Sequence, residues 1–335
     1  MDRRAFMSAA ACSVVTASTA NLARAQTLGR FADAARYSAD RNGAAFLVSR
    51  HGIVLAEEYV TGGRDARWGI GAGTRAFAAL LAATMVEDRL MTLDEPVAMT
   101  LGDWGAHPVK STISIRALLS GTSGLAFGRR DERTLANALA LEPAAAPGER
   151  FNDDAAAYLI FAEIAHRKLE ARGREPDPAR YLTMRTLLPI GCVPIGWLRD
   201  SAGVARFDDG AAVSARGWAQ AGELMRREGV WRAQQLADDG CLREAVRGSF
   251  AEARAGFGLW LAAPGRIREE PMVVSDLWRG SSPAPTDLAM AAGNGGQRLY
   301  FSPSAGVVIV RLARSLDANP QWSDAQFLSL VWRGF

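Results

Sequence analysis

The sequence predicts an α/β (α+β) fold in which an antiparallel sheet is formed from the N- and C-terminal segments and a helical lobe is carried between them. Three observations predict it. Alternating apolar segments broken by turn residues lie near both ends of the chain; segments with apolar residues three and four apart fill about 76–230; and Pro- and Gly-containing breaks at 145–148 and 173–178 divide that helical part. With 335 residues, 49% of them apolar, the chain is long enough to bury a sizeable core, and no segment reads as a membrane span.

In chain order, the first element is an expected export signal over residues 1–25. Arg3 and Arg4 precede Phe6 and a weakly apolar Ala/Ser/Val/Thr stretch, which ends in the A-x-A site Ala23-Arg24-Ala25. The run D-R-R-A-F-M is twin-arginine-like, an ordinary secretory signal that carries two arginines being the alternative. Either way the mature chain is expected outside the cytoplasm, periplasmic or secreted. Residues 26–335 then form one expected domain. Ala44–Val60 alternates around Arg50-His51-Gly52, a hairpin pattern. Helices are expected over Ala76–Leu90, Ile115–Leu119, Asp154–Leu169 and Ala212–Glu228. Gln297–Phe301 and Gly306–Leu312 flank the turn S-P-S-A as a second hairpin, and Ser323–Trp332 closes the chain as a helix. The cleft between sheet and helical lobe is the expected pocket.

Composition removes several function classes. Loss of residues 1–25 takes away three arginines and one aspartate, so the formal charge falls from +3 to +1 and leaves no basic footprint for nucleic acid. Lysine is confined to Lys110 and Lys168, so chemistry that needs a deprotonated lysine has two candidates. Cys12 leaves with the signal; Cys192 and Cys241 either pair in an oxidising compartment or stay as buried thiols. His51, His107 and His166 stand alone without metal-ligand spacing, so neither a metal nor a cofactor is expected.

The chemistry concentrates in W-G-I-G-A-G-T-R-A-F-A-A-L-L-A-A, Trp68–Ala83, where a glycine-loosened strand end runs into an apolar helix. Hydrolases mount nucleophiles at such corners, at the positive end of the helix dipole. The chain from Trp68 to Leu125, ending in I-S-I-R-A-L-L-S-G-T-S-G-L, resembles the serine beta-lactamase and penicillin-binding-protein superfamily, in its branch of class C-like esterases and aminohexanoate-oligomer hydrolases. Colinear pieces extend the resemblance over almost the whole mature chain: P-G-E-R-F at Pro147–Phe151, L-P-I-G and W-L-R-D-S-A-G within Leu188–Gly203, S-A-R-G-W-A-Q-A-G-E-L-M at Ser214–Met225, G-F-G-L-W-L at Gly256–Leu261 and A-A-G-N-G-G-Q-R-L-Y-F-S-P at Ala291–Pro303.

The resemblance implies an S-x-x-K motif at the start of the helix, whose spacing puts a serine and its lysine base on one face. Here the four positions read Ala72-Gly73-Thr74-Arg75. Alanine carries no nucleophile, and arginine stays protonated and cannot act as the base. Three residues before Lys110 stands His107, and three before Lys168 stands Ala165, so no displaced copy exists. The family's Y-S-N motif falls on Asp153, Asp154 and Ala155, while Tyr158 is expected to pack on its helix. The third motif keeps its glycines in Gly293-Asn294-Gly295-Gly296-Gln297, which let a ligand approach the strand backbone. Ser120 and Ser123 match a structural turn.

These losses fit one another: Arg75 is expected to pair with Asp153 or Asp154, because a buried unpaired guanidinium is costly. The alternative is that both aspartates cap the helix that begins near Ala155. The candidate ligand-binding set is Arg75, Asp153, Asp154, Asn294, Gly295 and Gln297, with Ala72 marking the degenerate nucleophile position. The expected function is a beta-lactamase-related protein that forms no acyl-enzyme and binds a small amide, ester or cell-wall peptide, or a protein partner, in the former active-site cleft. The alternatives are a hydrolase using a carboxylate-based mechanism and a structural envelope protein.

Overall fold

The computed structural model describes residues 28–128, 132–193, 195–200, 202–262, 275–278 and 284–335. The expected export signal lies outside the described residues. Strands run over Gly43–Arg50 (β1), Ile53–Tyr59 (β2), Trp68–Gly69 (β3), Ile195–Trp197 (β4), Ala211–Val213 (β5), Val230–Trp231 (β6), Gln234–Gln235 (β7), Trp260–Leu261 (β8), Ala289–Gly293 (β9), Gln297–Ser302 (β10) and Val307–Ala313 (β11). The α-helices are Ala32–Asp40 (α1), Arg75–Glu87 (α2), Ile115–Leu119 (α3), Leu135–Ala140 (α4), Ala155–Ala171 (α5), Pro178–Leu182 (α6), Ala215–Arg226 (α7), Asp239–Ala245 (α8) and Asp324–Trp332 (α9).

The main sheet has the order β2-β1-β11-β10-β9-β8, with antiparallel pairing throughout. Both terminal hairpins therefore meet in one sheet, β1 against β11, as the expected α/β (α+β) architecture requires. The sheet is covered on both faces, so β1 and β11 are buried along nearly their whole length. Successive side chains still separate by face: Leu47, Val308, Val310 and Leu299 join the core shared with the helical lobe, while Phe46, Val48, Ile309 and Tyr300 join a second core under α1 and α9. α7 crosses the first face, where Gly222 allows close approach: a Cβ there would lie 2.7 Å from Leu299 Cδ1.

α2 is buried on every side from Ala76 to Met85, and apolar there apart from Thr84, because it is the central helix of the lobe, packed by α5, α6 and α8. Side-chain caps start most of the other helices: Ser114, Asp154, Asp177, Ser214, Asp238 and Ser323 each accept from a backbone N–H two or three residues further along.

The lobe departs from the sequence reading at one place. The expected helix over Ala212–Glu228 begins only at Ala215; Ala211–Val213 is a strand, the middle member of a small sheet β3-β5-β4. Three apolar residues fit a helical face or a strand equally well, and pairing with Trp68 and Ile195 decides it. Cys192 and Cys241 are separate, buried free thiols, the pKa of each pushed up to about 12 by burial. Among the described residues no helix is long and apolar enough to cross a membrane.

The second core turns on Phe327, fully buried between Phe46 (5.9 Å between ring centroids), Tyr300 (6.0 Å) and Trp322 (4.9 Å). Phe327→Ala is expected to lower the unfolding free energy by about 3–5 kcal/mol. Denaturant unfolding checks it; a loss under about 1 kcal/mol would mean that this core is not rigidly packed.

Candidate functional site

The Trp68–Ala83 corner is built from backbone contacts. β3 pairs with β5, Ile70 N–H donates to Ala211 O (3.0 Å), and the chain turns through one 3-10 turn, Gly71–Thr74, straight into α2. Thr74 locks that turn: its hydroxyl donates to Gly71 O (2.6 Å) and accepts from Ala211 N–H (3.0 Å). Two glycines then close the corner from opposite sides. A Cβ on Gly293, at the end of β9, would lie 1.8 Å from Ile70 O, and one on Gly258 (φ +65) would lie 2.6 Å from the Arg75 carbonyl carbon. Only glycine permits either approach.

A cavity of about 560 Å³ opens at this corner. Ala72, Arg75, Asp153 and Tyr158 form one end, and Asn294, Gly295 and Gly296 form the strand-side rim. Phe151 and Trp260 supply an aromatic wall, their rings edge to face at 6.1 Å. Behind the rim, Arg298 Nη1 donates to Gly293 O (2.8 Å) and Arg311 Nη1 donates to Gly295 O (2.7 Å) and Gly296 O (2.8 Å).

Arg75 pairs with Asp153, through Nη1 and Oδ1. The guanidinium also lies 5.0 Å from the Tyr158 ring centroid. Burial by itself would lower the Arg75 pKa, but Asp153, Tyr158 and Asp208 outweigh it and hold it above its usual value, so the side chain is a permanent cation and no base. Arg75 Nε is buried without a hydrogen-bond acceptor.

The two aspartates thus take different roles. Asp153 faces the cleft. Asp154, a member of the ligand set expected from the sequence, instead caps α5: its Oδ1 accepts from Ala156 N–H (2.8 Å) and Phe127 N–H (3.3 Å), and it does not line the cavity. Gln297 is a second correction. Its amide donates to Ala313 O (3.0 Å) and accepts from Ala313 N–H (2.8 Å), so it stitches β10 to β11 rather than meeting a ligand. Tyr158, expected to pack on its helix, lines the cleft beside Arg75. The sequence carries a signal for it, since a residue four beyond Asp154 lies on the same helical face as the cap.

Other candidates fall outside the site. Lys110 bonds Glu142 (3.1 Å) and Lys168 pairs with Glu95 (2.5 Å). Ser120 Oγ donates to Arg116 O (2.8 Å) in a closed turn. His107 meets Glu142 and His166 meets Pro176 O, and among the described residues no His/Cys/Asp/Glu group has metal-site geometry.

The family profile described as Beta-lactamase matches residues 26–328. The chain belongs to the Beta-lactamase family. Among curated proteins nothing matches by sequence. Solved structures share the fold at low identity. EstCE1, described as a hydrolase with promiscuous acyltransferase activity, has a TM-score of 0.70 at 16% identity, over 94% of this chain and 100% of that one. A family VIII carboxylesterase has 0.69 at 14%, over 92% and 98%. A penicillin-binding protein homologue from Caulobacter crescentus has 0.67 at 17%, over 92% and 98%. In this Beta-lactamase family member, Ala72 and Arg75 both line the cavity.

Asp153→Ala is expected to destabilise the protein by about 1–3 kcal/mol, because it strands a buried guanidinium. Adding Arg75→Leu should recover most of that loss. Thermal and denaturant unfolding of the two variants check it; equal stability of Asp153→Ala and the parent would mean that the pair contributes nothing.

Proposed function

We propose that this Beta-lactamase family member is exported and holds a small amide, ester or cell-wall peptide in the former active-site cleft without forming an acyl-enzyme. The observation that carries the reading is the Arg75–Asp153 pair beside the Ala72 methyl. Acyl transfer needs a nucleophile and a base that takes its proton. The methyl offers no lone pair, and a guanidinium already bonded to a carboxylate accepts no proton. What remains favours binding: a cavity at the corner, an aromatic wall, and backbone closely packed at Gly258 and Gly293.

Asp153 also supports a second reading, because it is a carboxylate lining the cleft within reach of a ligand's water. As a general base it would activate water for attack on an ester or amide. Its engagement with Arg75 weakens that role, since one carboxylate oxygen is already committed to the guanidinium.

The purified mature protein is expected to turn over a chromogenic short-chain ester no faster than an Asp153→Ala variant prepared identically. Turnover that disappears in the variant would replace the binding reading with the carboxylate mechanism. Ala72→Ser with Arg75→Lys restores the S-x-x-K pattern; ester hydrolysis gained by that double variant is the expected sign that the pocket keeps a catalytic shape.

A further inference from the structure

We propose that two copies of this chain pair through the outer edge of β2, antiparallel about a two-fold axis, and so join their main sheets into one. The proposal is independent of the cleft reading, because β2 and the β8–β9 side that carries the cleft are opposite ends of the sheet.

The order β2-β1-β11-β10-β9-β8 leaves two edges among the described residues. β8 has two residues, whereas β2 has seven, Ile53–Tyr59, and pairs on one side only, with β1. The other side of an edge strand presents a row of backbone N–H and C=O groups that pairs readily with a further strand. Edges are commonly protected by charge or proline, but this one is apolar: Ile53 is 68% exposed, Val54 38% and Leu55 43%. β1 offers no position opposite Leu55, since the register steps from Ser49–Val54 to Val48–Ala56. That bulge increases the local twist, and a second copy brings the same twist to the pairing.

Charge selects a second copy as the occupant. Arg50 stands at the turn end of the exposed apolar run, and Glu57 and Glu58 stand at the other end. Antiparallel self-pairing with Val54 on the axis sets Ile53 against Leu55 of the second copy and carries each Glu58 past the other copy's turn, toward Arg50. The faces agree. Phe46 and Val48 belong to the second core, and Arg50 follows at the same period of two, its guanidinium 5.6 Å from the Phe335 ring. Glu58 lies opposite Phe46 and so on that same face, whereas Glu57 lies opposite Leu47 and is held by Arg216 at 2.7 Å. A two-fold axis perpendicular to the sheet keeps Arg50 and Glu58 on one face and makes their contact twice. Parallel in-register pairing would instead set Glu58 beside Glu58, like charges on neighbouring strands. The antiparallel pairing consumes the long edge of each copy, so it closes at two.

The test is sedimentation equilibrium of the purified mature protein. A monomer–dimer equilibrium is expected, and Ile53→Lys with Leu55→Lys is expected to raise its dissociation constant about tenfold or more. Arg50→Glu alone and Glu58→Arg alone are each expected to raise it about fivefold, and the two together to return it close to the parent value. Melting curves check that each variant folds. Amide exchange over residues 53–58 of the unmodified protein needs no variant, and it is expected to slow as the protein is concentrated. A protein that stays monomeric at roughly 0.1 mM, a dimer whose affinity ignores the lysine substitutions, or exchange at 53–58 that is independent of concentration would overturn the pairing. Charge reversals that weaken the dimer singly and fail to compensate together would overturn it as well.

Discussion

The cleft depends on one buried carboxylate in its wall. Asp324, the first residue of α9 and 1% exposed, accepts from Arg298 Nε (2.8 Å) and Nη2 (3.2 Å), from Trp322 Nε1 (2.9 Å) and from the Tyr300 hydroxyl. Burial alone would raise its pKa, yet Arg298 and the hydroxyl donors hold it below the usual carboxylate value, so it is charged in the fold. Arg298, so anchored, directs Nη1 at Gly293 O and Gln297 O. Arg311, stacked on Trp322 at 4.3 Å, grips the carbonyls of Gly295 and Gly296. A buried ion pair of this kind adds little net stability over an apolar filling. Its contribution is geometric: Asp324 sets Arg298, Trp322 lies against Arg311, and the two arginines bond the carbonyls of the glycine run that forms the rim.

From the rim the constraint passes to the corner through tight backbone contacts. Gly293 lies against Ile70 O, Thr74 ties the 3-10 turn to β5, and Gly258 lies against the first residue of α2. None of these contacts uses the methyl of residue 72 or the guanidinium of residue 75. The shape of the corner is therefore independent of the groups that would do chemistry in it. This is why Ala72 and Arg75 sit in an intact pocket rather than a collapsed one, and why a change at residue 72 alters reactivity at little cost in fold.

Much of this architecture is legible in the amino-acid sequence alone, for definite physical reasons. The hairpins at 44–60 and 297–312 show because their turns need His51, Gly52 and Gly306 in left-handed conformations, which punctuates the apolar runs. β5 is hidden because three residues carry no period. At the site, a count from Phe151 locates Asp153 and Asp154 but does not divide their roles. The division comes from the helix that starts at Ala155, whose first N–H groups claim the nearer carboxylate as a cap and leave the other to the guanidinium. Gln297 misleads because it adjoins the glycine rim in sequence, whereas its amide is taken up by the β11 backbone. Tyr158 is legible by helical spacing, but its place against Arg75 depends on the crossing of α2 and α5, which a local pattern does not carry.

The arginine at residue 75 also fixes the charge of this corner. A lysine near this corner would move between charged and neutral forms and so couple binding to proton transfer. Arg75 has no such second state, and Asp153 cancels its charge within one contact. The corner is left with directed N–H and O–H groups and the positive end of α2, whose field falls off within a turn. The backbone geometry of the corner is set by the glycine contacts and the buried arginine clamp. The Arg75–Asp153 pair thus leaves this end of the cleft with matched charges, on a backbone whose geometry is set independently of the side chains at residues 72 and 75.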